Sequence, residues 1–224
     1  MANLNSTSAS KPHHIDTEIT NLTHLCAREI CAMINEVRAA GRNPEKHPLG
    51  FLHLPLGANG FGTGLYLHVW TGYGSAQSSY NEEPIHTHTF EMVSRVLIGG
   101  LINDVYDVVP DPESPMMRCS IQFSDSGSVR QPVEASRAIL IDSEHVRAPG
   151  IYSLRSGTFH ISRPTSELLV TLMSKESVDP HARANVLVPA HQCNNAQGPK
   201  WFEQFPSGWQ VIDEVLKRLS DYEN

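Results

Sequence analysis

The chain contains no run of lysines or arginines, and its 17 basic residues against 24 acidic ones leave a formal charge of -7 over 224 residues. A surface of that sign does not attract polyanions, which argues against a nucleic-acid partner or adhesion to an anionic membrane. No apolar stretch approaches the roughly twenty residues that span a bilayer. There is no Cys-x-x-Cys pair either. The four cysteines, Cys26, Cys31, Cys119 and Cys193, are scattered and read as reduced, mostly buried thiols in a reducing compartment. The N-terminus, residues 1–11, is rich in Ser and Asn and lacks an apolar core. These absences together point to a cytoplasmic protein. Missing as well are an internal repeat, a heptad array and a phosphate-binding Gly-Lys-Ser loop, so neither a repeat architecture, a coiled coil nor a P-loop nucleotide site is expected.

What is present is a single domain's worth of short strands between two helices. Residues 1–15 are too polar to offset their ordering entropy and are expected to be disordered, which leaves one domain over 16–224. From Asp16, Ile19, Leu22, Cys26, Ile30, Met33 and Val37 recur at helical spacing up to Gly41. They predict one amphipathic helix whose stripe, Cys26 and Met33 included, packs on the outside of a sheet. Residues 42–64, broken by Pro and Gly, read as a connection with short extended pieces around 51–56. Strand patterns follow at 65–70, 93–98, 101–109, 118–123, 138–141, 145–154, 160–162 and 168–174, with 186–188 as an edge strand. Gly99-Gly100 reads as a hairpin turn. Ser207 caps a last helix through 221, with Ile212, Val215, Leu216, Leu219 and Tyr222 on one face. The fold class is all-β, a sandwich or barrel over about residues 50–190 with a helix at each end.

Two segments carry chemistry. In Pro84-Ile-His-Thr-His-Thr-Phe-Glu-Met-Val-Ser-Arg-Val-Leu-Ile-Gly99, His86 and His88 stand two apart, so on a strand they share a face and can grip one ion. In Gly150-Ile-Tyr-Ser-Leu-Arg-Ser-Gly-Thr-Phe-His160, a third histidine follows a Gly turn. Three neutral imidazoles on a metal leave positions open for water, oxygen or substrate. His68, on the polar face of the strand at 65–70 with Tyr66, is a substrate contact or further ligand at lower weight than a plain hydrogen-bonded histidine. Tyr106 and Tyr152 are the phenols best placed in sequence to orient a substrate or pass a proton.

The two segments resemble the paired motifs of the cupin superfamily over about residues 65–175, and the match is to His86, His88, Gly99, Gly150, Gly157 and His160. The resemblance implies a jelly-roll β-barrel holding Fe, Mn, Ni or Zn on the motif histidines. Aligning Val96-Leu97 to Gly99 puts Met92 in the slot where cupins carry a glutamate. Glu91 is one residue off, so it points away from the ion and pairs with a group such as Arg95, unless a bulge turns it inward as a fourth ligand. Arg155 replaces a proline of the second motif. The three-histidine set is similar at a distance to the cysteine-dioxygenase branch, but that branch's motif cysteine and carboxylate-binding arginine have no counterpart here, so a cysteine substrate is not supported. The resemblance implies a non-haem Fe(II) oxygenase using O2 on a small amino-acid-like or carboxylate molecule. The alternatives are a Zn, Ni or Mn isomerase, lyase or hydrolase, or a non-catalytic binding module. A homodimer is expected, since cupins often pair through a sheet edge or helix.

Overall fold

In the computed structural model, residues 14–47, 49–58, 64–72, 84–124, 127–177, 183–193, 197–198 and 203–221 are described. Most of the segment expected to be disordered, residues 1–13, lies outside this set, as do Tyr222 and most of the loop before the first motif.

The first apolar stripe folds as two helices where one was expected. α1 (His14–His24) and α2 (Ala27–Ala39) part at Leu25 and Cys26. Cys26 is extended at φ -82° and ψ 164°, and its N–H donates to Glu29 Oε2 at 2.9 Å, which caps α2 and holds the Glu29 carboxyl below its ordinary range. Cys26 is exposed, against the packing role expected of it, while Met33 does pack on the core. The carbonyls released at the end of α1, Leu22 O and Leu25 O, accept from Arg95 Nη1 at 2.8 and 2.7 Å. A partner some seventy residues away sets the break, and local periodicity carries no trace of it. Arg95→Met leaves both carbonyls without that donor and should cost about 2–3 kcal/mol in urea unfolding; a variant as stable as the wild type would show that the break does not depend on Arg95.

The strands are β1 (Glu45–Lys46), β2 (Leu52–Ala58), β3 (Gly64–Thr71), β4 (Ile85–His86), β5 (Phe90–Ile98), β6 (Gly100–Pro110) and β7 (Met116–Ser124). They continue with β8 (Gly127–Arg147), β9 (Ile151–Leu154), β10 (Phe159–Pro164), β11 (Leu168–Ser177), β12 (Ala184–Pro189), β13 (Gln197–Gly198) and β14 (Glu203–Gln204), before α3 (Trp209–Asp221). They form two seven-stranded sheets, ordered β14-β1-β2-β3-β11-β5-β9 and β13-β8-β6-β10-β4-β12-β7, with β7 also pairing to β8. The chain is thus mostly β, as expected. Of the sandwich or barrel expected, the strands give two sheets, with no strand pairing from one to the other among the described residues.

Three local expectations change with it. Residues 42–64 contain β2, a full strand antiparallel to β3 with a bulge at Pro55–Gly57. β5 and β6 do not form a hairpin but belong to different sheets, and Gly99 turns the corner between them. Its φ is +78°, and a Cβ there would lie 2.2 Å from Ser166 Oγ and 2.3 Å from the Leu168 carbonyl oxygen, so only glycine fits. The piece expected at 138–141 and the start of the one expected at 145–154 belong to one long strand, β8, which pairs β7 along its first part and β6 along its second, while 151–154 is β9 in the other sheet.

Alternation on the strands then sorts the side chains. Leu65, Leu67 and Val69 of β3, Val93 and Leu97 of β5 and Val170 and Leu172 of β11 face the helices, against Ile30, Ile34, Val37, Ile212, Val215 and Leu219. On the opposite face Phe51, Trp70, Met92, Val96, Tyr152, Leu169 and Met173 meet Leu101 and Val146 of the second sheet, so the two sheets lie face to face over an apolar interior.

The four cysteines depart from the reduced set expected. Cys119 on β7 and Cys193, just past β12, form a disulfide with their Cα atoms 6.3 Å apart. β12 pairs with β7, and this neighbourhood across 74 residues is what joins them. The expectation of four reduced thiols is thus corrected for Cys119 and Cys193, while Cys26 and Cys31 remain thiols. Among the described residues no helix is long and apolar enough to cross a membrane.

Candidate metal centre

The two histidine segments meet in the second sheet. β4 lies between β10 and β12, and His86 stands opposite His160 in the β4–β10 register. His88 follows β4 on an unpaired stretch and is held by the turn of the second segment. The Gly157 N–H donates to the His88 carbonyl at 2.9 Å, and Gly157 at φ +80° makes that turn. The glycine of one motif thereby positions a histidine of the other.

The three rings converge. Ring centroids are 4.6 Å apart for His86–His160, 4.9 Å for His86–His88 and 5.0 Å for His88–His160, and one nitrogen from each falls in a group within 4.8 Å. His88 Nε2 and His160 Nε2 are 3.0 Å apart. Two metal–nitrogen bonds of about 2.1 Å at right angles place their nitrogens about 3.0 Å apart, so this spacing suits two ligands on one ion.

The far nitrogens are engaged elsewhere. His86 Nδ1 lies 3.0 Å from the Pro84 carbonyl, which can only accept, so Nδ1 carries the proton and Nε2 keeps its lone pair. His160 Nδ1 lies 3.3 Å from Asn103 Oδ1, which also accepts from Ser162 Oγ at 3.0 Å, and the same tautomer follows. Burial pushes all three pKa values down, with His86 partly restored by its Pro84 bond, so the rings are neutral, the form that binds metal.

Met92 points into the interior with Val96. Glu91 shares the other face of β5 with Val93 and Arg95, and the converging group does not include it. Arg95 is engaged with the end of α1 instead of serving as the expected partner of Glu91. Tyr106 requires a correction. Val105 is the residue opposite His160, and Tyr106, opposite Phe159, faces out of the sheet, where its hydroxyl reaches Asp104 Oδ2 at 3.4 Å. A one-residue step on a strand reverses the face, so the structure does not bring Tyr106 to the histidines. Tyr152, opposite Ser94 on β9, is buried in the apolar interior beside Met92 and Trp70.

A second histidine group faces the same interior. His53 of β2 stands opposite His68 of β3, with His53 Nδ1 and His68 Nε2 3.0 Å apart. Tyr66 stacks on His53 at 4.8 Å, and His47 stacks on Phe51 at 4.1 Å, itself 4.7 Å from His68. Burial above all holds His47 and His53 down to about 3 and His68 well below its ordinary value. The two groups sense each other, since positive charge on His47 would disfavour it on His88, and charge on His88 would disfavour it on His68. His47 and His53 were not singled out from sequence because they lie in the segment read as a connection. The alternation of Leu52, Leu54 and Leu56 around His53 was the available signal. A cavity of about 380 Å³ lined in part by Asp16, Val105, Arg155 and Thr158 includes none of these six histidines.

No protein-family model matches the chain, and no curated protein sequence matches it. Solved structures similar to it include an oxalate oxidase in complex with the substrate analogue glycolate, at 15% identity and a TM-score of 0.34, covering 76% of this chain and 69% of that one. An oxalate oxidase structure concerned with that enzyme's mechanism stands at 16% identity and 0.36, covering 77% and 71%. Likeness at this level carries no argument about function, which rests on the residues themselves.

Proposed function

We propose that the chain is a metal-dependent enzyme in which His86, His88 and His160 hold one divalent ion, Fe(II) before Zn, Ni or Mn, and that it oxidises a small organic carboxylate with O2. The supporting observation is the convergence of three neutral imidazoles, with the Nδ1 atoms of His86 and His160 tied to Pro84 O and Asn103 Oδ1. Bound there, the ion would supply Lewis-acid and redox chemistry at its open positions. The protein's own residues do the rest. Asn103 and Pro84 hold two rings in the ligating tautomer, and Phe51, Trp70 and Met173 line a wall from which water is excluded. With Met92 inward where a carboxylate could have stood, the donor set carries no negative charge and favours a substrate that brings its own.

Elemental analysis tests the ligands. The purified protein should hold about one divalent ion per chain, and His86→Ala, His88→Ala and His160→Ala should each lose most of it while Glu91→Ala retains it. Full metal in His160→Ala would remove the third ligand from the proposal. Anaerobic Fe(II)-loaded protein, challenged with amino acids, keto acids and phenolic acids and then admitted to air, should consume oxygen with one of them. Turnover without oxygen, best with zinc or nickel, would replace oxidation by Lewis-acid chemistry, and binding without turnover under any metal would make the chain a binding module.

A further inference from the structure

We infer that Lys175 is the anion anchor of this site, its ammonium receiving the carboxylate of a substrate whose other end faces the three histidines; this rests on the metal-site reading above.

Lys175 lies on β11 opposite Gly64 of β3 and Met92 of β5. Met92 faces the interior, as do Leu169 and Met173 at alternate positions of β11, so Lys175 points the same way. Its Nζ sits 4.3 Å from the Tyr66 ring centroid and 4.9 Å from that of Phe90. Phe90 in turn stacks on His88 at 4.6 Å and 20°. Tyr66 stacks on His53 at 4.8 Å. One aromatic ring therefore separates the ammonium from each histidine group. Its charge is felt at His47, His53, His68 and His88, and helps to keep those rings neutral.

Among the described residues no carboxylate pairs with Lys175. Two ring faces stabilise an ammonium by less than the desolvation of a buried charge costs. Burial accordingly lowers its pKa. A carboxylate arriving from solution would supply the missing counter-charge through a charge-assisted hydrogen bond.

A second observation is independent of the lysine. Ser94 Oγ and Thr171 Oγ1 are buried hydroxyls without a hydrogen-bond partner among the described residues. They alternate with Met92 and Val96 on β5 and with Leu169 and Met173 on β11, so they face the same interior. Ser94 lies diagonally across the β5–β11 pair from Lys175, at a separation of about 7–8 Å. A small hydroxy acid or keto acid held by the ammonium would bring polar atoms toward these hydroxyls.

The test uses the full chain loaded with Zn(II), whose metal content is measured first. Calorimetric titrations with glycolate, pyruvate and neutral glycolamide compare wild type, Lys175→Met and Lys175→Arg. Both carboxylates should bind the wild type at least about tenfold tighter than glycolamide, Lys175→Met should lose that preference, and Lys175→Arg should keep most of it. Undiminished carboxylate binding by Lys175→Met, or a wild type that binds the amide as well as the acid, would overturn the inference. Should Lys175→Met fail to fold, Lys175→Gln takes its place and is read the same way. Wild type that holds no metal would defeat the metal reading alone, because the comparison of acid with amide in metal-free protein still decides the role of Lys175.

Discussion

Acidification from pH 7 to pH 5 should remove roughly 4 kcal/mol of stability, with protons taken up by the interior histidines as the chain unfolds. His47 and His53 are held at about 3 in the folded protein against an ordinary 6.5, first by burial. A histidine whose folded pKa is depressed folds in its neutral form, so its contribution is whole above the unfolded pKa and is lost as pH falls below 6.5 toward 3. Each such group loses about 1.4 kcal/mol per pH unit in that window, so the pair loses about 2.7 per unit and about 4 by pH 5. His68, His86, His88 and His160 are lowered too and add in the same direction. Against a total stability of about 5–15 kcal/mol this is enough to bring acid unfolding close to pH 5. Urea midpoints followed by tryptophan fluorescence at pH 7, 6 and 5 measure it. His53→Gln should shallow the pH slope, and a stability that is flat between pH 7 and 5 would mean that the interior histidines are not held neutral.

The features that could be read from the sequence were those coded by short-range periodicity. Strand parity alone singles out His86 and His88, two apart in sequence, with His160 after a glycine turn; in the fold only His86 lies on β4, opposite His160, and His88, past the end of that strand, is placed by the Gly157 turn. Parity likewise sufficed for Glu91, whose one-residue displacement from Met92 turned it to the helix side. Tyr106 shows where parity stops. Its face depends on whether Val105 or Tyr106 stands opposite His160, which is a matter of pairing with β10 and not of its own neighbours. The break between α1 and α2 depends on Arg95, and the Gly99 corner on Ser166 and Leu168, all long-range partners. His47 and His53 were hidden for a different reason. Pro55 and Gly57, which read as strand breakers, are accommodated by a bulge in β2.

Reduction should destabilise the protein by about 4 kcal/mol, provided the reductant reaches the Cys119–Cys193 bond. The two residues are 74 apart in sequence, and a cross-link closing a loop of that size removes chain entropy from the unfolded state worth about 4 kcal/mol. Both cysteines are buried with Val186 and Val188 and with Met117 and Ile121 packed around them, a small cluster apart from the main core. Among the described residues the segment after β12 is also tied by the Ala190 N–H bond to the Pro115 carbonyl and by the short β13–β8 pairing. Cys193→Ser should therefore lower the urea midpoint in non-reducing buffer and bring it close to that of the reduced wild type, while Cys31→Ser, which removes no disulfide, should shift it far less. Mass spectrometry of an unreduced digest should find Cys119 and Cys193 in one linked species and Cys26 and Cys31 as free thiols. Alkylation of Cys119 and Cys193 in the unreduced, unfolded protein would show instead that the pair is an adjacent dithiol, and the reductant would then leave the midpoint unchanged.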